Sequence, residues 1–362
     1  MKIFFFPKYS EEGPSSRYRI YQYQKYFTKA GIFCEISPLM GKGYIKLLNN
    51  NMRPSVLKVV SWYVRRVLAI IFRSNSFDII YIQAELFPYI PSSIAEFWLK
   101  HVLKKKVIID FDDAIFHRYD MHNNKVVRLL LAKKIPKVIK HADMVISGSP
   151  YLTKFCLNYN SRVKEIPTSL DVEEFIMNSD TVKNETFVVG WIGSSSTSKY
   201  LLSILDVFRE FQTKYPSVLF RFIGFNAKFE SHFEGINVEF IPWNEKTQEF
   251  YLRTFDVGIM PLDTSPWSKG KCGFKLIQYM AAQKPTISTP LDANLKIDRG
   301  VGNLFASNRI EWFSCLEDVF LNNERYKVIG RRNQEIVCKF YRTEKNARTL
   351  TEIFYNLLNE KY

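Results

Sequence analysis

Phe187-Val188-Val189-Gly190-Trp191-Ile192-Gly193-Ser194-Ser195-Ser196-Thr197-Ser198-Lys199-Tyr200 passes from a β-branched and aromatic run, through small residues, into a segment of helical period. A strand whose carboxyl end turns directly into a helix reads this way. Glycine allows the sharp exit, the serines and Thr197 are of the type that caps a helix, and Lys199 lies within its first turn. The turn therefore suits an anion, with plain helix capping as the alternative. It matches neither GxxxxGK[ST] nor GxGxxG, so neither a P-loop nor a dinucleotide fingerprint is present.

Outward from this stretch the same alternation recurs. Strands are expected over 2–6, 33–37, 78–82, 107–110, 144–147 and 163–166, and again over 187–192, 219–224, 238–241, 257–260 and 286–288. Helix-like segments separate them, which is the pattern of parallel βαβ units. The polar stretch 178–185 parts the two series, and a linker is expected near 170–185. The expected fold class is α/β: two Rossmann-like doubly wound domains, over 1–175 and 185–340, facing an interdomain cleft at their strand carboxyl ends. There is no clear residue-level repeat and no low-complexity tract.

A length of 362 residues with 46% hydrophobic content supports two full cores and excludes disordered, collagen-like or coiled-coil architectures. No run approaches the roughly 20 apolar residues that span a bilayer. Met1-Lys2-Ile3-Phe4-Phe5-Phe6 meets Pro7 and Lys8 at once, so it reads as a buried strand rather than a secretory signal. Cys34, Cys156, Cys272, Cys315 and Cys338 are odd in number and form no CxxC pair, arguing against a disulfide framework and a structural zinc. Reduced thiols in a cytoplasmic protein are expected.

Residues 255–262 read as a buried strand and turn, followed by Pro266-Trp267-Ser268-Lys269-Gly270-Lys271-Cys272-Gly273-Phe274-Lys275-Leu276-Ile277-Gln278-Tyr279, a loop feeding a helix. Three lysines and two glycines crowd the helix start. Free amide donors and the positive end of the macrodipole favour a phosphate there, and a diphosphate would sit well. Solvated lysines at a helix start are the bland alternative. Clustered Asp110, Asp112 and Asp113 invite a hard cation, but strand alternation sends only Asp110 and Asp112 to one face, and a turn or helix cap is the simpler reading. Arg17 and Arg19 follow a Gly-Pro-Ser-Ser loop containing Ser15, at the carboxyl end of the first strand; guanidinium suits phosphate. His117 lies five residues beyond Asp112.

Taken together, GWIGSSSTSKYL and MPLDTSPWSKGKCGFKLIQYMAAQKP resemble the nucleotide-binding half of GT-B glycosyltransferases, specifically the family 4 (group 1) retaining enzymes of bacterial surface polysaccharide assembly. In the first half, Gly13 to Arg19, Asp110 to Asp113, Ser149 to Leu152 and Ile166 to Asp171 are similar to the same group, so the resemblance covers nearly the whole chain. It implies a nucleotide-diphosphate sugar donor and a glycan or lipid-linked acceptor. It also implies no cofactor, a metal-independent reaction, and a departing phosphate that itself takes the acceptor proton. The last helix, over 341–362, is similar to the segment that crosses back to the first domain. On this resemblance, and on the lysines at the loop, Lys271 and Lys275 are assigned to the diphosphate. Asp112 is assigned to orienting a hydroxyl where many relatives carry a histidine. Gly193, Ser194, Thr197, Lys199, Gly273, Phe274 and Gln278 are assigned to the nucleotide, and Ser15, Arg17, Arg19, Asp113 and His117 to the acceptor side. The family commonly carries two glutamates eight positions apart, where this chain has Gly270 and Gln278. The amide can still bind a ribose hydroxyl; Gly270 offers nothing. Hence two alternatives stay open, a GT-B-like binding or scaffold subunit without chemistry and a nucleotide-sugar epimerase.

The formal charge is +15, and all of it belongs to the first half: 27 Lys and Arg stand against 12 Asp and Glu in residues 1–170, and 24 against 24 thereafter. Such asymmetry marks an anionic partner. Residues 41–76 hold no acidic residue, yet carry Lys42, Lys46, Arg53, Lys58, Arg65, Arg66 and Arg73, with Leu57, Val60, Val64, Leu68 and Ile71 at helical spacing. A second acid-free stretch, 121–142, carries Lys125, Arg128, Lys133, Lys134, Lys137 and Lys140. Both suit the anionic inner face of a cell membrane, so peripheral attachment is expected. Packing of the apolar stripes on the first sheet is the alternative. No nucleic acid partner is expected, because no helix-turn-helix, RRM, KH or zinc module is apparent.

Overall fold

Twelve strands form among residues 1–49, 52–177 and 185–360, which are those the computed structural model describes. Six make one sheet, in the order β2 (Phe33–Ile36), β1 (Lys2–Phe6), β3 (Ile79–Gln83), β4 (Lys106–Phe111), β5 (Met144–Ser147) and β6 (Val163–Glu165). Every neighbouring pair is parallel. Parallel strands are covered on both faces, which is why β3, Ile-Ile-Tyr-Ile-Gln, is apolar almost without interruption. Alternate residues feed two cores. Phe4 and Phe6 pack with Ile70, Leu99, Ile135 and Leu152, while Ile3 and Phe5 pack with Phe27, Leu350 and Phe354.

The second sheet runs β12 (Leu304–Phe305), β11 (Thr286–Ser288), β10 (Val257–Met260), β7 (Val188–Ile192), β8 (Leu219–Ile223) and β9 (Val238–Ile241), again all parallel. Its core gathers Val189, Trp191, Phe208, Phe220, Ile259 and Trp312. The two-residue edge strand β12 carries too few residues for a periodic signal, and sequence reading does not find it. The expected strands otherwise lie where the pattern puts them, within a residue or so at either end.

The chain divides into two units. Unit 1 comprises Met1–Ser169, Lys269–Cys272 and Thr343–Tyr362; unit 2 comprises Leu170–Ser268 and Gly273–Arg342. The helix Thr343–Asn359 packs on unit 1 through Leu350 and Phe354, and Asn346 donates to the carbonyl of Pro167 at 2.7 Å. Part of the expected linker is helical, over Glu173–Met177, where Val172 and Phe175 are buried; residues 178–184 lie outside the described residues. No helix among the described residues is long and apolar enough to cross a membrane.

Candidate functional site

In unit 1 the carboxyl ends of β1, β3 and β4 converge. β4 leads into Asp112, which accepts a hydrogen bond from the Ser15 hydroxyl at the start of the helix Pro14–Arg19. The Gln83 amide, at the end of β3, donates to Ser15 Oγ at 2.6 Å and accepts the Lys8 backbone N–H at 3.1 Å. Burial, with Asp113 beside it, pushes the Asp112 carboxyl up to about 6, against the pull of Ser15 and Arg19. Desolvation, with Arg118 nearby, lowers the Lys8 ammonium to about 8. A half-buried carboxyl that titrates near neutrality beside a weakened ammonium can accept and return a hydroxyl proton.

The segment Lys269–Cys272 belongs to this unit. Lys271 Nζ donates to Asp113 Oδ1 at 2.8 Å, and the Cys272 thiol donates to the Asp112 carbonyl at 3.0 Å. Lys271, expected on the diphosphate, is thus an ion-pair partner of Asp113. Gly270 sits so close to Ala114 that a Cβ there would lie 2.4 Å from the Ala114 Cβ and 2.9 Å from its backbone nitrogen. The absent carboxylate is therefore a matter of space: no side chain fits. Gly270→Ala is expected to lower stability by about 1–3 kcal/mol through overpacking, and Gly270→Glu by more, without improving any ligand affinity. Calorimetry on Gly270→Ala checks this; stability equal to wild type would refute the assigned contact.

Two expected acceptor residues have structural roles. Arg19 is buried and lies along Asp110, with Nε 2.9 Å from Oδ2 and Nη1 2.8 Å from the Ile166 carbonyl. Tyr81 donates to the same carboxylate at 2.8 Å. Neither Arg19 nor Asp110 faces solvent, so the sequence reading of Arg19 as a phosphate ligand is corrected; a charge buried this deeply persists only when paired. His117 is held by both nitrogens, Nδ1 2.9 Å from Asp120 and Nε2 2.8 Å from the Tyr151 hydroxyl. Arg17 packs its guanidinium 5.1 Å from the Tyr18 ring centroid. Among the described residues no group of three or more His, Cys, Asp or Glu is placed to hold a metal ion.

Asp112 provides a pH test. Its folded value of about 6 stands above the ordinary 3.8, so the folded state binds more protons than the unfolded chain between these values. Stability gained from this group is complete below the ordinary value and is lost as pH rises through about 6. Asp112→Asn is expected to flatten that descent, read as the difference in urea midpoint between acid and neutral buffer. An unchanged slope would show that Asp112 does not titrate there.

In unit 2 the turn after β7 is closed by Thr197, whose hydroxyl accepts the Ser194 N–H at 3.1 Å and donates back to the Ser194 carbonyl at 3.0 Å. Thr197 thereby braces the loop rather than capping the helix, and the helix, Lys199–Leu202, is a single turn. Gly193 is obligatory here, since a Cβ would fall 2.2 Å from the Trp191 ring. Gly273 opens the helix Phe274–Ala281 at φ 66°, with Ile297 and Asn294 filling the space a side chain would need. Lys275, in the first turn, donates to Thr197 Oγ1 at 3.3 Å and lies 4.4 Å from the Trp191 ring centroid. The strand turn and the helix start are thus brought together, with Lys275 between them. Gln278 is buried one turn on. A concavity of about 420 Å³ includes Lys199, Tyr200, Leu262, Asp263, Arg309 and Trp312. Burial would raise the Asp263 carboxyl, but hydrogen bonds from Ser265 and Ser268 and the charge of Lys199 bring it below its ordinary value.

Sequence reading missed Lys8, Gln83, Ala114 and Trp191. A polar Gln83 closing an otherwise apolar strand was the one available signal; the others depend on long-range packing.

Residues 186–318 match the family described as Glycosyl transferases group 1. A Bacillus subtilis (strain 168) protein named as a candidate teichuronic acid biosynthesis glycosyltransferase, TuaH, is 25% identical over 227 residues, 56% of this chain and 56% of that protein. The chain thus matches little more than half the length of that relative. Anabaena HepE, solved with UDP-glucose, superposes with a TM-score of 0.71 at 13% identity over 98% of this chain and 100% of that one. Sucrose-phosphate synthase of Thermosynechococcus elongatus gives 0.71 at 11% identity over 99% of each. The fold is GT-B, as the sequence motifs imply.

Proposed function

We propose that this chain, whose residues 186–318 form a group 1 glycosyl transferase segment, moves a sugar from a nucleotide-diphosphate sugar to a glycan or lipid-linked saccharide acceptor in polysaccharide assembly, with retention. The observation that carries this is Lys275 at a helix start, braced by Thr197 and the Trp191 face, inside the matched segment. The shared fold with a UDP-glucose complex supports it. Departure of the nucleotide diphosphate leaves negative charge, and preorganised donors there lower the barrier. Lys275, Lys199 and the helix amides supply that, with Gln278 toward the ribose. In unit 1, Asp112, set by Ser15 and Gln83, orients the acceptor hydroxyl or the sugar, and no metal is required.

The crowding at Gly270 favours a second reading, a binding subunit without chemistry, since the loop admits no carboxylate. A thermal-shift panel of UDP, GDP, ADP and CMP with their sugar conjugates, followed by transfer assays with native lipid extract, separates the readings. Binding with transfer supports the enzyme; binding without transfer supports the subunit; donor interconversion without acceptor would indicate an epimerase.

The proposal places unit 1 on the cytoplasmic face of an anionic membrane. The helix Val56–Phe72 buries Trp62, Arg66, Ala69 and Ile70 and turns its other apolar face outward: Leu57 is 82% exposed, and Val60, Val64, Leu68 and Ile71 are exposed with it. The stripe does not pack on the sheet. Exposed Lys58 and Arg65 flank it. Two of the expected cations do not contribute. Arg66 is buried, donates to the Pro7 and Ser37 carbonyls, and is lowered to about 9 by desolvation. Lys134 is buried against Glu85. Flotation with anionic vesicles at low salt tests the attachment, and failure to float refutes it.

A further inference from the structure

In unit 1 a concavity of about 290 Å³ lies between 91–97 and 130–141. Its polar lining is cationic. Lys133 and Lys137, four positions apart and both exposed, stand on one side, and Ser92 and Ser93 on the other. The carboxylates nearest in sequence and structure are already engaged. Glu85 holds Lys134, Glu96 is buried and accepts the Leu86 N–H at 3.1 Å, and Asp143 pairs with Lys100. His141 also lines it, with Nε2 3.5 Å from the Ser93 hydroxyl and its charged form disfavoured by burial and by His101.

The rest of the lining has a different character. Ile94 is 71% exposed, and Phe97 and Leu130 are exposed as well; Leu129, next to Leu130 in the chain, is 85% exposed. A soluble anion would use the lysines and leave this apolar border in water. An amphiphile uses both: the phosphate neutralises the cations while the chains cover the border.

We infer that this concavity receives the phosphate head group of an anionic phospholipid, with its acyl chains along Ile94, Phe97, Leu129 and Leu130. The inference rests on the membrane reading and makes it specific, assigning head-group recognition to a site separate from the exposed stripe of Val56–Phe72.

Two arms test it on the full-length chain. In the first, flotation with vesicles of phosphatidylcholine alone or of equimolar phosphatidylcholine and phosphatidylglycerol is measured for wild type, Lys133→Ala/Lys137→Ala and the control Lys125→Ala/Lys140→Ala, which removes equal charge elsewhere. The first pair is expected to weaken binding by about 10-fold or more, at the usual worth of a basic residue near such a surface, and the control by clearly less. In the second, hydrogen exchange is followed with dihexanoyl-phosphatidylglycerol below its micelle concentration or with inorganic phosphate. Protection over 91–97 and 130–141 with the lipid, absent with phosphate and absent in Lys133→Ala/Lys137→Ala, supports the site. Equal protection by inorganic phosphate overturns the lipid assignment in favour of a free-anion site. Wild-type flotation with equal losses in both double variants overturns the head-group site while leaving the membrane reading intact. A wild type that does not float, and that no lipid protects, overturns both.

Discussion

Lys275→Ala is expected to lower transfer by about 10²–10³-fold, the usual loss when one preorganised donor to a developing anion is removed, while leaving the fold intact. The side chain is half-buried, and its contacts include the Thr197 hydroxyl at 3.3 Å and the Trp191 ring centroid at 4.4 Å. The Thr197 hydroxyl keeps its bonds to Ser194 without it. The loss should divide unevenly. The leaving diphosphate carries more charge than the bound donor, so kcat falls more than KM rises. The nucleotide-induced thermal shift should shrink with it. Lys275→Arg keeps the charge but needs a wider seat over the indole, and is expected to recover part of the rate. Lys271→Ala offers the contrast. Its ammonium is already engaged with Asp113, so its removal should act through the acid pair and displace the pH profile more than the plateau rate. If Lys275→Ala retains full transfer, or if Lys271→Ala proves the more damaging of the two, the diphosphate is not held at Lys275.

That contrast marks where sequence reading succeeds and where it stops. Strands β3, β7 and β10 are short apolar runs bounded by turn residues, and a two-faced parallel sheet requires little else, so fold class and strand positions were legible. Gly193 and Gly273 were legible too, because a tight strand exit and a left-handed helix start restrict the residue type. Arg19 was misjudged, and the Asp113 partner of Lys271 was missed, for one shared reason. A cation beside a glycine-rich turn looks available for phosphate, and its partner, Asp113 or Asp110, is some 90 to 160 positions away in sequence. The same limit applied to Val56–Phe72. Helical spacing identified the apolar stripe but not its direction, and the tertiary structure buries the Trp62 and Arg66 side instead. Position 270 is a further case, since nothing in the local sequence announces Ala114 against it.

Arg19→Met should be among the most destabilising single changes in unit 1, costing about 3–5 kcal/mol, as expected when one partner of a buried pair is removed. Among the described residues, Asp110 would then keep a buried carboxylate with only the Tyr81 hydroxyl donating to it at 2.8 Å. The Ile166 carbonyl would also lose its donor. The pair joins the helix Pro14–Arg19, β3, β4 and the end of β6, so the damage should spread across the sheet. Hydrogen exchange in β3 and β4 would register this directly. A phosphate-binding Arg19 predicts the reverse, with stability near wild type and weaker ligand affinity. The two accounts separate in the triple variant Arg19→Met/Asp110→Leu/Tyr81→Phe, which replaces every charge and hydroxyl of the cluster with apolar volume. If the arginine serves only to neutralise Asp110, the triple variant recovers most of the lost stability, because buried ion pairs are often no better than well-packed apolar groups. If instead the triple variant is less stable than Arg19→Met alone, the network contributes through its geometry, and the bidentate fork of Arg19 sets the position from which Ser15 reaches Asp112.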